Sequence, residues 1–297
     1  MGNLGKKRKS MSLNTAHEGY EYQDLLTAYF ILQEILDEHN AIFKIDTKEH
    51  SDDKFDDLTI KNELGIFKKQ IKYSNEISNH TAQKDDFSTP HNYDLAIYDL
   101  FYSWKNLPIR PEEIRLCLAW NEPTDKLTDF IIISSREKTF ENYPTKLFQF
   151  DVNKLWPENN EPDNSWRKLR AESQNINRDE FVEFCRHLLI ETNFPKQSFD
   201  KSFNGELEKI ILGLIDKLGI GEYPNNHITP KHFALEILRL ITRSRSRGFE
   251  ISTKEIFDKL NIRTDFGSIE QIFPIDKSKN IETKEIITSF FKTDKKM

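Results

Sequence analysis

The sequence predicts an α/β front half followed by an all-helical back half. Three observations carry that reading. Short apolar and β-like runs recur between residues 41 and 150; a Pro- and Asn-rich stretch, Pro157 to Ser165, interrupts the chain; beyond it only helical spacing of apolar residues is evident. The expected organisation is a flexible basic arm at 1–15, an α/β domain at 16–156, a linker at 157–165 and a helical domain at 166–297.

Taken in order, Leu25, Leu26, Tyr29, Phe30, Leu32, Ile35 and Leu36 repeat at helical spacing, which predicts an amphipathic helix over about 17–38. Ala41 to Asp46 reads as a short strand. Leu58–Lys61 and Ile66–Lys72 read as two strands around the loop 62–65. A helix is expected from Tyr93 to Trp104, before Pro108 and Pro111, and a buried strand over Ile114–Trp120. Phe130–Ile133 and Leu147–Phe150 are apolar runs too short to classify by period. Behind the linker, helices are expected near 178–192, 204–218, 230–246, 253–261 and 281–292. Gly219 and Gly248 stand at stop positions, and Asp179, Ser252, Thr253, Glu255 and Glu282 stand near starts.

Composition excludes several classes. With 22 Phe, 9 Tyr and 4 Trp in 297 residues the chain holds enough aromatic bulk for a packed core. Two distant cysteines, Cys117 and Cys185, rule out a disulfide scaffold or a cysteine-rich zinc site and suit a reducing cytoplasm. No apolar run reaches the roughly 20 residues of a membrane span, and no apolar segment follows Lys6–Lys9 to make a signal peptide. There is no HExxH and no phosphate-binding loop. Net charge is −6, all of it in residues 1–150, where 19 basic side chains meet 25 acidic ones. That balance argues mildly against a simple nucleic-acid binder. A nuclease that gathers carboxylates around metal ions remains compatible with it.

The informative stretch runs from Glu49 to Lys72. Glu49, Asp52, Asp53, Asp56 and Asp57 fall within nine residues, which describes either a solvated loop or a cation site. If 62–65 is a hairpin loop, opposed residues sum to 127. Leu58, Ile60, Phe67 and Ile71 then share an apolar face with Lys69 as its misfit. Asp57, Thr59, Lys68, Gln70 and Lys72 share the other face, a polar surface on this reading. The set suits metal-assisted phosphodiester hydrolysis. Asp57 and the Gln70 side-chain oxygen would ligate Mg²⁺ or Mn²⁺, with the Ile71 carbonyl as a third ligand. Lys72 would orient water and stabilise developing charge, and Glu49 or Asp56 would add a second carboxylate. Asp52 and Asp53 read as loop acids. Glu18 reads as a helix N-terminal charge in preference to an extra metal-site acid, and Gln23 either braces the site or caps backbone.

A helix, a strand, an Asp-bearing strand and a strand ending in Gln70-Ile71-Lys72 resemble the PD-(D/E)XK, or restriction-endonuclease-like, fold. With His17-Glu18-Gly19-Tyr20-Glu21-Tyr22-Gln23 opening the first helix, residues 15–150 are similar to the nuclease family of bacterial antiphage effectors. That family is found in SAVED-containing CBASS endonucleases and in Lamassu, Avs and HerA-associated systems. Gln70 departs from the usual acid. The resemblance implies Mg²⁺-dependent cleavage of double-stranded DNA by a cytoplasmic effector. Its back half would drive homo-oligomerisation or binding to an SMC-, HerA- or STAND-like ATPase. A catalytically silent assembly subunit and a sequence-specific restriction enzyme are the alternatives. Arg243-Ser244-Arg245-Ser246-Arg247 reads as a phosphate contact or as helix C-terminal charge.

Overall fold

The structure is a computed structural model and describes residues 13–73, 80–89, 94–195, 205–219 and 229–259. The N-terminal arm before residue 13 and the helix expected at 281–292 lie outside those residues. The elements are α1 (Leu13–Leu36), β1 (Ile42–Ile45), β2 (Leu58–Asn62), β3 (Gly65–Lys72), α2 (Lys84–Ser88), α3 (Ile97–Lys105), β4 (Glu113–Leu118), α4 (Asp125–Thr128), β5 (Ile131–Ile133) and β6 (Lys146–Phe150). They continue with α5 (Val152–Leu155), α6 (Arg167–Glu172), α7 (Arg178–His187), β7 (Leu188–Thr192), α8 (Glu206–Lys217), α9 (Pro230–Arg247), β8 (Ile251–Ser252) and α10 (Thr253–Lys259).

All eight strands form one mixed sheet in the order β5-β6-β7-β4-β3-β2-β1-β8. β8, β1, β2 and β3 pair antiparallel, β3, β4 and β7 pair parallel, and β7, β6 and β5 return to antiparallel pairing. The hairpin register is the expected one, with Leu58 opposite Lys69 and Ile60 opposite Phe67. The ladder continues to Asn62 opposite Gly65, so only Glu63 and Leu64 form the turn. Gly65 has φ +138, and a Cβ there would lie 2.4 Å from the Glu112 side chain. A side chain is therefore excluded twice, by backbone conformation and by space.

Two expectations fail at β7. Residues 178–192 do not make one helix, because α7 ends at His187 and Leu188–Thr192 enter the sheet between β4 and β6. The back half is consequently not all-helical, and 157–165 does not divide the sheet from a separate helical unit. A strand buried on both faces carries apolar residues in succession, and Leu188-Leu189-Ile190 has no period that separates it from helix.

Helices cover both faces. On one, α1 lies against Phe43, Leu58, Ile60 and Ile71, and α8 and α9 pack on α1 through Leu207, Ile211, Phe233 and Ile237. Covered by the sheet and by those helices, α1 buries every residue from Leu25 to Leu32, so it is embedded rather than amphipathic. On the other face Phe55, Phe87, Leu100, Phe101, Trp104, Phe181 and Phe184 pack with Ile114, Leu116 and Leu118. Burying each such side chain stabilises by roughly 1.5–3 kcal/mol. α9 ends at Gly248 in the left-handed region (φ +67), as its position foretold.

Candidate functional site

Both faces of the β2–β3 hairpin are packed, which corrects the expectation of a polar surface on one of them. Lys68 is 1% exposed, and its Nζ lies 3.2 Å from Asp53 Oδ2, 3.9 Å from Glu49 Oε1 and 3.4 Å from the Phe55 carbonyl. Asp53 is itself buried. It accepts hydrogen bonds from the Phe55 and Glu49 backbone N–H groups and from the Ser103 hydroxyl. Burial opposes its charge, but Lys68 and those N–H donors outweigh the penalty and hold its carboxyl below the usual range. The acidic loop thus folds over the sheet with Phe55 as its plug. Asp53 is a loop acid turned inward as the counter-ion of Lys68, whereas Asp52 is exposed. Glu49 stands with Lys68 rather than with Asp57.

The opposite face carries a second ionic cluster. Lys69 Nζ is 2.9 Å from Glu113, Arg115 grips Glu113 through Nε (2.9 Å) and Nη2 (3.0 Å), and its Nη1 reaches Glu191 at 2.9 Å. Glu191 also accepts from Thr139 N and Oγ1. The cluster is neutral, and each of its charges is paired.

Asp57 stands where β2 and β3 separate. Its Oδ2 accepts from the Ile71 N–H at 2.6 Å, replacing the ladder bond that the departing strand no longer supplies. Its Oδ1 accepts from Gln23 Nε2 at 3.3 Å, so Gln23 of α1 braces this acid. Burial pushes the Asp57 carboxyl up to about 6, with Asp56 and Asp46 adding to the rise, while Lys72 and the Ile71 bond oppose it. Asp56 is half-buried, 3.8 Å from Lys48, and is also raised, chiefly by burial. Gln70 is 4% exposed, and its Oε1 has no hydrogen-bond partner among the described residues. Lys72 is half-buried with no carboxylate within 4 Å among those residues.

Two participants were not foreseen. Asp46, at the end of β1 with φ +50, donates its N–H to the Asp57 carbonyl at 3.1 Å. Its place opposite Asp57 follows from the β1–β2 register, in which partners sum to 103. Asp24 is paired with Arg245 of α9 at 2.6 Å, and burial raises its carboxyl to about 6 against the pull of that arginine. Glu18 is not in the first turn, since α1 begins at Leu13. It lies close enough to Tyr73, the residue after Lys72, to add to the rise that burial causes in that phenol.

Among the described residues no group of three His, Cys, Asp or Glu side chains is disposed to hold a metal ion. The donors at the hairpin end are one carboxylate and one unpartnered amide oxygen, both hard. Mg²⁺ is commonly held by one or two carboxylates while keeping several waters, and a carboxylate and an amide oxygen are donors of the type it takes. A cavity of about 420 Å³ borders β6 and α7, lined in part by Gln149, Arg178 and Arg186, and takes no residue from the hairpin. No helix among the described residues is long and apolar enough to cross a membrane. No protein-family model matches the chain, and no curated protein matches it.

Proposed function

We propose that the protein is a metal-dependent endonuclease that hydrolyses the phosphodiester backbone of double-stranded DNA. The observation that carries this is the Gln70 side-chain oxygen, buried and without a partner among the described residues, on the strand end where Asp57 accepts the Ile71 N–H and Lys72 draws on its charge. A buried acceptor left without a donor costs about 1–3 kcal/mol, a cost that a bound cation would remove. Asp57 and Gln70 would hold Mg²⁺ or Mn²⁺, which when bound supplies Lewis-acid activation of water and of the scissile phosphate. Lys72 is the group placed to orient the water and to meet negative charge as it develops. The resemblance extends the proposal to an effector of antiphage defence, controlled by an ATPase partner or by self-association.

One observation favours a second reading, that of a silent assembly subunit. Both Asp57 oxygens already accept a hydrogen bond, so the acid has a structural task of its own. Supercoiled plasmid incubated with the purified protein, with Mg²⁺ or with EDTA, separates the two. Cutting that needs Mg²⁺ and disappears in Lys72→Ala supports the nuclease. Cutting that survives EDTA or the substitution refutes this mechanism, and no cutting in any arm favours the silent subunit. Discrete fragments in place of a smear would indicate a restriction enzyme.

A further inference from the structure

The Arg-Ser-Arg-Ser-Arg run of α9 divides in space. Arg243 and Arg247 are exposed, while Arg245 turns inward and its side chain is only 14% exposed. Its Nη1 lies 2.6 Å from Asp24 Oδ1, its Nε lies 3.8 Å from Asp46 Oδ2, and its guanidinium covers the Tyr20 ring at 5.1 Å. Thr242, one turn earlier, donates to Asp24 Oδ2 at 3.2 Å. The two acids it reaches flank the candidate site. Asp24 follows Gln23, which donates to Asp57, and Asp46 donates its own N–H to the Asp57 carbonyl.

From this geometry we infer that Arg245 is a positioning residue for Asp57, tying α9 to the helix and the strand end that hold it. Three acidic side chains, Asp46, Asp56 and Asp57, crowd the ends of β1 and β2, and Asp24 of α1 meets Asp46 through the shared Arg245 guanidinium. Like charges this close drive α1 and the strand ends apart unless a cation spans them. A guanidinium suits that task because its fork can address two acids at once while its flat face stacks on an aromatic ring. Removing it loosens both braces together. The Gln23 bond then lengthens, and the Asp57 carboxylate loses its fixed distance from the Ile71 N–H. Catalytic groups must be held to within about 0.5 Å, so the loss is felt at the site even though Arg245 touches no substrate. The segment 229–259 is on this inference part of the site's frame as well as a packing module.

The effect on cutting rests on the nuclease reading; the effect on Asp57 does not. Full-length wild type, Arg245→Met, Arg245→Lys and Asp24→Asn are compared by amide hydrogen exchange at Ile71 and by calorimetric titration with Mn²⁺. Arg245→Met is expected to speed Ile71 exchange at least tenfold relative to Leu116, deep in β4, and to weaken Mn²⁺ binding at least tenfold. Arg245→Lys should recover part of both, a rescue that simple loss of packing would not show. Asp24→Asn is the gentler variant should Arg245→Met fail to fold, and a threefold or larger increase in Ile71 exchange is expected from it. Ile71 exchange unchanged in Arg245→Met, or in Asp24→Asn where the former does not fold, would overturn the inference. A wild type that neither binds Mn²⁺ nor cuts DNA would overturn the nuclease reading alone, and the Ile71 result would still decide the role of Arg245.

Discussion

Halfway along β3, Lys68 and Lys69 leave the strand on opposite faces and each ends on a carboxylate, Asp53 on one side and Glu113 on the other. Near the end of the same strand, Gln70 and Lys72 end on no such partner among the described residues. The middle of the sheet carries buried charge that is fully compensated. There an ion pair adds little net stability, but loss of one member leaves the other stranded. At the strand end the polar groups remain available, as a group meant to meet a substrate or a cation must be. The difference teaches that a lysine's role here is set by where β2 leaves β3, since all three lysines belong to one strand and only Lys72 stands at its end.

The comparison is broken most severely by truncation. A chain ending near Pro157 lacks β7, α8 and α9, so β4 and β6 lose the strand between them and α1 loses its outer cover. No cooperative thermal transition is expected from it by circular dichroism. A folded, cutting fragment would show that the back half is a detachable module after all. Next comes Arg115→Met, which strands Glu191 inside the protein and leaves Glu113 to Lys69. Urea titration should register a loss of about 3–5 kcal/mol, the usual cost of breaking a buried pair.

Acid sharpens the same contrast. Burial works against the Glu113 charge, yet Lys69 and Arg115 together hold its carboxyl at about 2. Its folded pKa is thus below its unfolded one. The resulting stability, about 3 kcal/mol from the shift, is fully present above the unfolded value and is lost as pH falls through the folded one. Unfolding free energy measured from pH 5 to pH 2 should fall steeply in the wild type and less steeply in Glu113→Gln. Asp57 contributes with the opposite sign. Its raised pKa favours the folded state at low pH, and that contribution is lost as pH rises through about 6.

At the strand end the expected stability effects are smaller and the functional ones larger. Asp57→Ala leaves the Ile71 N–H without an acceptor and should cost about 1–3 kcal/mol. Asp57→Asn keeps an acceptor oxygen, so chemical denaturation should find less than about 1 kcal/mol lost. Both should abolish cutting and Mn²⁺ binding. Smallest of all is Lys72→Ala, expected within about 0.5 kcal/mol of the wild type, because among the described residues no ion pair within 4 Å is lost. Its cutting rate should nevertheless fall by a factor of roughly 100 or more. Equal cutting by Lys72→Ala and wild type would remove the distinction between the two ends of β3.

The hairpin was legible in the sequence because alternation and turn length together determine register, and the 127 sum holds from Leu58 to Asn62. The start and stop of α9 and the start of α10 were legible for similar local reasons. Thr229 caps α9, and Ser252 and Glu255 exchange side-chain-to-backbone hydrogen bonds at α10. What could not be read was which polar residues lie under other elements. Nothing local distinguishes Asp53 from Asp52, and only the loop's closure over Phe55 buries one and leaves the other in water. The pairing of Arg245 with Asp24 spans 221 positions of the chain and has no local signature. β7 was missed because its burial on both faces erases the alternation that marks a strand.

The late position of β7 in the chain and its central position in the sheet also fix the order in which the protein can be born. During synthesis β4 is complete at Leu118, but its partner strand does not begin until Leu188. At about 5–20 residues per second the growing chain carries an open strand edge, rich in Ile114, Leu116 and Leu118, for several seconds. Only when β7 slides between β4 and the waiting β5–β6 hairpin do the two halves of the sheet become one. Long-range closure of this kind is slow, and an unpaired edge invites pairing with a neighbouring chain. Yield from rapid expression should therefore depend on temperature and on chaperone supply more than the stability of the finished fold would suggest.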